Sequence, residues 1–65
     1  MDKNSKLPEP LMTTEQLAAY LGVSVRTVHD WRIRGVDMPP AYRVGRHLRF
    51  RPDEVESWVG QRRAA

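Results

Sequence analysis

The sequence predicts a mostly α-helical single domain built from three short helices and one two-stranded β-hairpin. Three observations lead to that class. Apolar residues recur at helical spacing in three segments, each opened by a helix-start signal. One segment between the second and third of these alternates apolar residues with arginines around a glycine turn. With 65 residues and no cysteine, the chain has room for one small core and no disulfide to staple it.

The first ten residues, MDKNSKLPEP, show no periodicity and hold two prolines and two lysines, so residues 1–10 are expected to be a flexible arm. The folded domain is expected over 11–61, followed by a short tail at 62–65. Thr13 can cap the first helix, and Gln16, three positions on, completes a capping box. Met12 and Leu17 sit where a hydrophobic staple clamps a helix start, and Leu17, Tyr20 and Leu21 form one apolar stripe. Gly22 suits the left-handed residue that ends such a helix. After a three-residue turn, Leu21-Gly22-Val23, Ser24 caps a second helix, Val23 with Val28 repeats the staple, and Gly35 closes it.

Met38-Pro39-Pro40 cannot continue a helix. Beyond it, Tyr42 and Val44, then Leu48 and Phe50, alternate with Arg43 and with Arg49 and Arg51. Gly45-Arg46-His47 turns the chain back between them. The expectation is a hairpin with an apolar inner face and an arginine outer face, lying on the helices because an isolated hairpin is marginal in water. Pro52 opens the third helix at a position where its missing N–H is harmless. Asp53 and Glu54 favour the positive end of that helix. Phe50 with Val55 makes a third staple, and Val55, Trp58 and Val59 form the inward stripe.

Charge narrows the function. Lys and Arg total 11 against eight Asp and Glu, a net of +3. Between Arg26 and Arg51 stand seven basic and two acidic residues, so that segment is +5 and the remainder −2. A basic zone in an otherwise balanced domain is the footprint of a polyanion binder, although it also describes a merely solvated face. No apolar run reaches the length of a membrane span, and no signal-peptide core follows Met1, so no membrane partner is expected and the chain is placed in the cytoplasm. His29 and His47 have no ligand pattern around them, so neither a metal nor a cofactor is expected. The acids are scattered and no nucleophile has a paired base, so no enzyme is expected either.

The second helix is where that charge acquires a direction. With Val28 set at about 0° on the helical wheel, Trp31 lies near about 300°, and these two anchor the helix inward. Arg26 then falls near about 160° and Asp30 near about 200°, with Thr27 and Arg34 further round, giving a polar ridge opposite the anchor. A capped helix, a tight turn and a second helix of this kind make a helix-turn-helix, whose second helix enters the major groove of DNA. Arg26 can then donate to guanine O6 and N7, and Asp30 can accept from a cytosine amino group. Ser24 and Thr27 suit phosphate or base. Arg26 and Asp30, four apart, are also placed to form a plain surface ion pair, and Thr27 to do no more than complete the cap. His29 reads as an exposed helix residue or a phosphate contact. Trp31 and Trp58 read as core. Ile33, near about 140° on the polar side, has no role in this scheme. Arg46 at the hairpin tip, next to Gly45, suits a narrow minor groove, with Arg43, Arg49 and Arg51 flanking phosphates. Arg62 and Arg63 suit the end of the third helix dipole but are expected in a frayed tail that contacts nothing.

The stretch LMTTEQLAAYLGVSVRTVHDWRIRG followed by PPAYRVGRHLRFRPDEVESWV resembles the phage excisionase group of winged helix-turn-helix domains, the recombination directionality factors, related to the MerR-type DNA-binding domain. The likeness runs from Leu11 to Val59. It rests on the helix start Ser24-Val25-Arg26-Thr27-Val28, Trp31, Pro39-Pro40, the Gly45-Arg46 turn and the Asp53-to-Trp58 helix. What the resemblance implies is a small accessory protein that binds repeated double-stranded DNA sites at a prophage attachment region, bends them and helps integrase excise the prophage. It implies a recognition helix in the major groove with contacts at Arg26 and Asp30, and a wing arginine, Arg46, in the minor groove. With the residue-by-residue reading, the expected DNA-binding set is Ser24, Val25, Arg26, Thr27, Asp30 and Arg34 on the helix and Arg43, Arg46, His47 and Arg49 on the wing. Phage integrase as a partner, head-to-tail self-association along DNA and a place beside the nucleoid of a bacterial host follow as expectations. A MerR-type regulator adds a long dimerisation helix and an effector domain, which do not fit in the residues after Val59, so no small-molecule effector is expected. A small AlpA-type transcriptional regulator uses the same domain and stands as the alternative, and a protein-binding assembly or packaging module is the rival from another class.

Overall fold

The computed structural model describes residues 10–64. Five elements follow in order: α1 (Thr14–Leu21), α2 (Val25–Arg34), β1 (Tyr42–Val44), β2 (His47–Arg49) and α3 (Pro52–Gly60). This is three helices with a two-stranded antiparallel hairpin, a winged helix-turn-helix. The arm expected over 1–10 lies, except for Pro10, outside the described residues. Among the described residues no helix is long and apolar enough to cross a membrane.

Helix starts follow the cap chemistry. Thr13 Oγ1 accepts from the Gln16 amide at 3.0 Å, and Gln16 Oε1 accepts from the Thr13 amide at 2.9 Å, so both arms of the box satisfy donors that a bare helix end would leave free. At the other end Gly22 takes φ 75°, which a side chain would resist. The Val23 amide then reaches back to the Ala18 carbonyl at 3.0 Å, the six-residue closure of a Schellman ending. Helix α2 ends the same way, with Gly35 at φ 71° and the Val36 amide on the Trp31 carbonyl at 3.1 Å. Leu21 belongs to α1, so the turn between the first two helices is Gly22-Val23-Ser24, one residue later than its sequence pattern suggests. Arg51 stands at the cap position of α3 without a side-chain hydrogen bond, and Pro52 with Asp53 and Glu54 supplies the start instead.

The core is formed where these elements meet. Leu17 and Ala18 from α1, Val28 from α2, Phe50 after β2 and Val55 from α3 are its buried residues. Met12, Leu21, Val23, Val25, Trp31, Met38, Ala41 and Leu48 pack around them. All three pairs expected as staples are therefore in one cluster. Two stripes are narrower than their periodicity suggests. Tyr20 is 56% exposed, and Val59 also reaches solvent, because an eight- or nine-residue helix in so small a domain has neighbours on one side only.

The hairpin corrects a second expectation. Within the hairpin Gly45 alone has positive φ, 64°, and the pairing is Val44 with His47, Arg43 with Leu48 and Tyr42 with Arg49. The loop is thus two residues, Gly45-Arg46, with the left-handed glycine first, as in a type II′ turn. His47 is the first residue of β2 and no part of the turn. Directly paired residues share a face of an antiparallel ladder, so shortening the loop from three residues to two shifts the register by one and inverts one strand. Leu48 and Phe50 do turn inward. Tyr42 and Val44 do not: they lie with His47 and Arg49 on the outer face and are exposed, whereas Arg43 shares the face of Leu48. The hairpin therefore has no all-arginine face.

Two further ties fix the hairpin. Met12 pairs with Phe50 through both backbone hydrogen bonds, 2.7 and 2.9 Å, an isolated bridge joining the segment before α1 to the residue after β2. On the outer face the Tyr42 hydroxyl donates to the Glu54 carboxylate at 2.9 and 3.0 Å, holding β1 against the start of α3.

Candidate nucleic-acid interface

Helix α2 is anchored through Val28, which is fully buried, and through Trp31, whose ring centroid lies 6.4 Å from that of Trp58 at a 44° tilt. Such a tilted pair favours the quadrupoles of both rings. Its N-terminus is closed by Ser24, whose Oγ accepts from the Thr27 amide at 3.0 Å while the two hydroxyls lie 3.0 Å apart. Ser24 and Thr27 are thus occupied with each other at the helix start, though Ser24 stays exposed. Val25 packs against the core, so its side chain is not part of the outward ridge.

That ridge consists of Arg26, Asp30 and Arg34, all exposed. Asp30 has a partner, but it is Arg34 rather than Arg26: the guanidinium Nη1 donates to Oδ2 at 2.9 Å. Both four-residue spacings are open to Asp30. The observed direction, acid before base, is the one the helix dipole favours, since it leaves the cation nearer the C-terminus. Arg32 and Arg34 in the last turn complement the same dipole. Among the described residues Arg26 forms no ion pair, so its guanidinium is available to an external acceptor.

The hairpin stands beside α2. His29, Arg32 and Ile33 from the helix and Leu48 from β2 line one open groove. Arg46 occupies the tip, exposed, and Arg43 and His47 are exposed on either side of it on opposite faces of the ladder. Arg49 is half-buried, its Nη1 donating to the Leu48 carbonyl at 2.7 Å. Of the four hairpin residues expected at the interface, Arg49 is therefore the one already engaged. No cluster of three potential metal ligands occurs among the described residues.

Away from this face, the C-terminal residues depart from expectation. The Arg62 guanidinium lies 4.1 Å over the Trp58 ring and forms a salt bridge to Asp37, in the link between α2 and β1. The tail is held by a cation–π contact and an ion pair, and it is not frayed at Arg62. Trp58 followed four residues later by an arginine is a legible helical pair, since i and i+4 side chains are neighbours. Asp37 gave no such signal, because nothing in the sequence brings 37 to 62.

A helix-turn-helix with an arginine-tipped hairpin beside its second helix defines the class, a DNA-binding domain. The chain belongs to the helix-turn-helix domain family, whose model matches residues 11–63, a family that includes excisionase-like and AlpA-type DNA-binding proteins. No curated protein matches the chain in sequence.

Proposed function

We propose that this chain is an excisionase-type accessory protein that binds and bends duplex DNA and so promotes integrase-mediated excision of a prophage. Helix α2 lies in the major groove, with Arg26 and Asp30 on base edges and Ser24, Thr27 and Arg34 along the adjoining backbone. Arg46 enters the neighbouring minor groove, with Arg43, His47 and Arg49 beside the phosphates. The observation that carries this reading is the groove shared by α2 and β2: the helix and the arginine-bearing hairpin border the same depression in a chain of the helix-turn-helix family. Copies bound in tandem contact one another head to tail, and integrase is the protein partner. The chain acts in the cytoplasm of a bacterial host, beside the nucleoid, without catalysis, cofactor or small-molecule effector. An AlpA-type transcriptional regulator presents the same surface to DNA and is the second reading, since the matched family includes both types.

A gel shift on duplex DNA across a salt series is the first test. Neutralising about five phosphates gives a log–log slope of about −4 to −5. A flat response points to a protein-binding module. Arg26→Ala is expected to cost about 1–3 kcal/mol and to relax preference at one base pair. Equal loss on every duplex makes Arg26 a phosphate contact. An excision assay with a cognate integrase then separates the two readings: stimulation of excision supports the first, and a promoter response without it supports the second.

A further inference from the structure

Ile33 is the most exposed large apolar residue of the described chain, at 83%. Isolated apolar residues on a surface are ordinary, so exposure alone says little. Its position says more. Counting from Arg26 at about 100° per residue, Asp30 and Ile33 fall within about 60° of one another, so the three share one stripe along α2. On its flank Ile33 borders the groove that His29, Arg32 and Leu48 also line. Its chain neighbours are arginines, and Asp30, the one acid on the stripe, is neutralised by Arg34.

We infer that Ile33 contacts the 5-methyl group of a thymine in the major groove, making it a base-reading residue beside Arg26. This rests on the DNA-binding reading above. Among base edges in that groove the thymine methyl is the apolar feature, and aliphatic side chains are its natural partners. The cationic surroundings choose the occupant. Arg32 on one side, with the mutually neutralised Arg34 and Asp30 on the other, leaves a net positive charge that attracts a phosphate backbone and repels a second copy of the same surface, so a symmetric protein contact through Ile33 is disfavoured.

The test begins with a site selected from a random duplex pool by the wild-type protein. Each thymine of that site is replaced singly by deoxyuridine, which removes the methyl and keeps the Watson–Crick pairing. At one position wild-type affinity is expected to fall about threefold to fivefold, the value of one buried methyl. Ile33→Ala is expected to bind the thymine and uracil duplexes equally, with the wild-type salt slope and circular dichroism. Insensitivity of the wild type to every deoxyuridine overturns the inference, as does persistence of the methyl effect in Ile33→Ala. Sedimentation without DNA adds a third arm: a dimer that Ile33→Ala converts to monomer assigns the residue to self-contact. Failure to bind any duplex defeats the DNA-binding reading itself, whereas salt-dependent binding without methyl sensitivity defeats only the assignment of Ile33.

Discussion

Replacing Ser24 tests whether its hydroxyl serves the fold before it serves a ligand. The Oγ accepts the Thr27 amide at 3.0 Å and lies 3.0 Å from the Thr27 hydroxyl, so Ser24→Ala strips one donor of its partner and releases another group. Loss of such a cap costs about 1 kcal/mol, within a range of about 0.5–2, while Ser24→Gly costs only a few tenths because glycine caps tolerably. A chain of this length has a total stability of about 3–10 kcal/mol, so Ser24→Ala removes about a tenth to a third of it. The corresponding fall in Tm is about 4–8 °C. Thermal unfolding followed at 222 nm reads the difference, with Ser24→Gly expected close to wild type. DNA affinity measured well below the transition then separates the roles. A hydroxyl committed to Thr27 leaves binding by Ser24→Gly nearly intact. Ser24→Ala melting within about 1 °C of wild type refutes the capping argument. A tenfold loss of affinity in Ser24→Gly, with Tm unchanged, shows that the hydroxyl works on the ligand instead.

Phe50→Ala removes the largest fully buried side chain and is expected to cost about 3–5 kcal/mol, at least about a third of the total stability and a large fall in Tm; a cooperative thermal transition near the wild-type Tm would mean the core lies elsewhere. The Tyr42 pKa is raised above its ordinary value of 10.0, first by its hydrogen bond to Glu54 and then by burial and the Glu54 charge. A pKa raised on folding means that the protonated phenol stabilises the native state, fully below the ordinary value, and that this contribution is lost as pH climbs through the folded value. Ultraviolet titration of the phenolate should therefore show Tyr42 ionising late, returning toward the ordinary range in Glu54→Ala; an unchanged titration curve in that variant removes the hydrogen bond from the explanation.

How much of this was legible depends on whether the cause was local. Capping at Thr13 and Ser24, the helix start at Pro52, and termination at Gly22 and Gly35 concern residues within one turn of each other, and the structure places them as the pattern implies. The three staple pairs were legible for the same reason. The hairpin existed in the sequence, but its register did not. Gly45-Arg46-His47 admits a two- or a three-residue loop, and the alternation of Tyr42, Val44, Leu48 and Phe50 favours the longer one. The structure adopts the shorter, because Gly45 suits the first position of a II′ turn and because Phe50 stays inward while Tyr42, turned outward, places its hydroxyl on Glu54. Asp30 had two equally spaced cations, and dipole direction decided between them. On α2 and the hairpin tip, the placing of Arg26, Arg46 and Ile33 on exposed positions was legible, while the packing of Val25 required knowing where the core stops. The pairings of Met12 with Phe50 and of Asp37 with Arg62 had no sequence signature at all, since both join segments distant along the chain.

The backbone bridge between Met12 and Phe50 also governs how the molecule comes together. It closes the chain into a ring in which α1, α2 and the hairpin are all contained, while α3 stays outside. Everything within the ring except its clasp can form from near neighbours, on the timescale of helix and hairpin growth. The clasp must bring together positions 38 apart in the chain, and the entropy lost in that closure is recovered only when Phe50 settles among Leu17, Val28 and Val55. The seam engages α2 only through its buried side, at Val28, and leaves the exposed Arg26, Asp30 and Arg34 out of the closure, so that outer ridge can vary in sequence while the route to the native state is preserved.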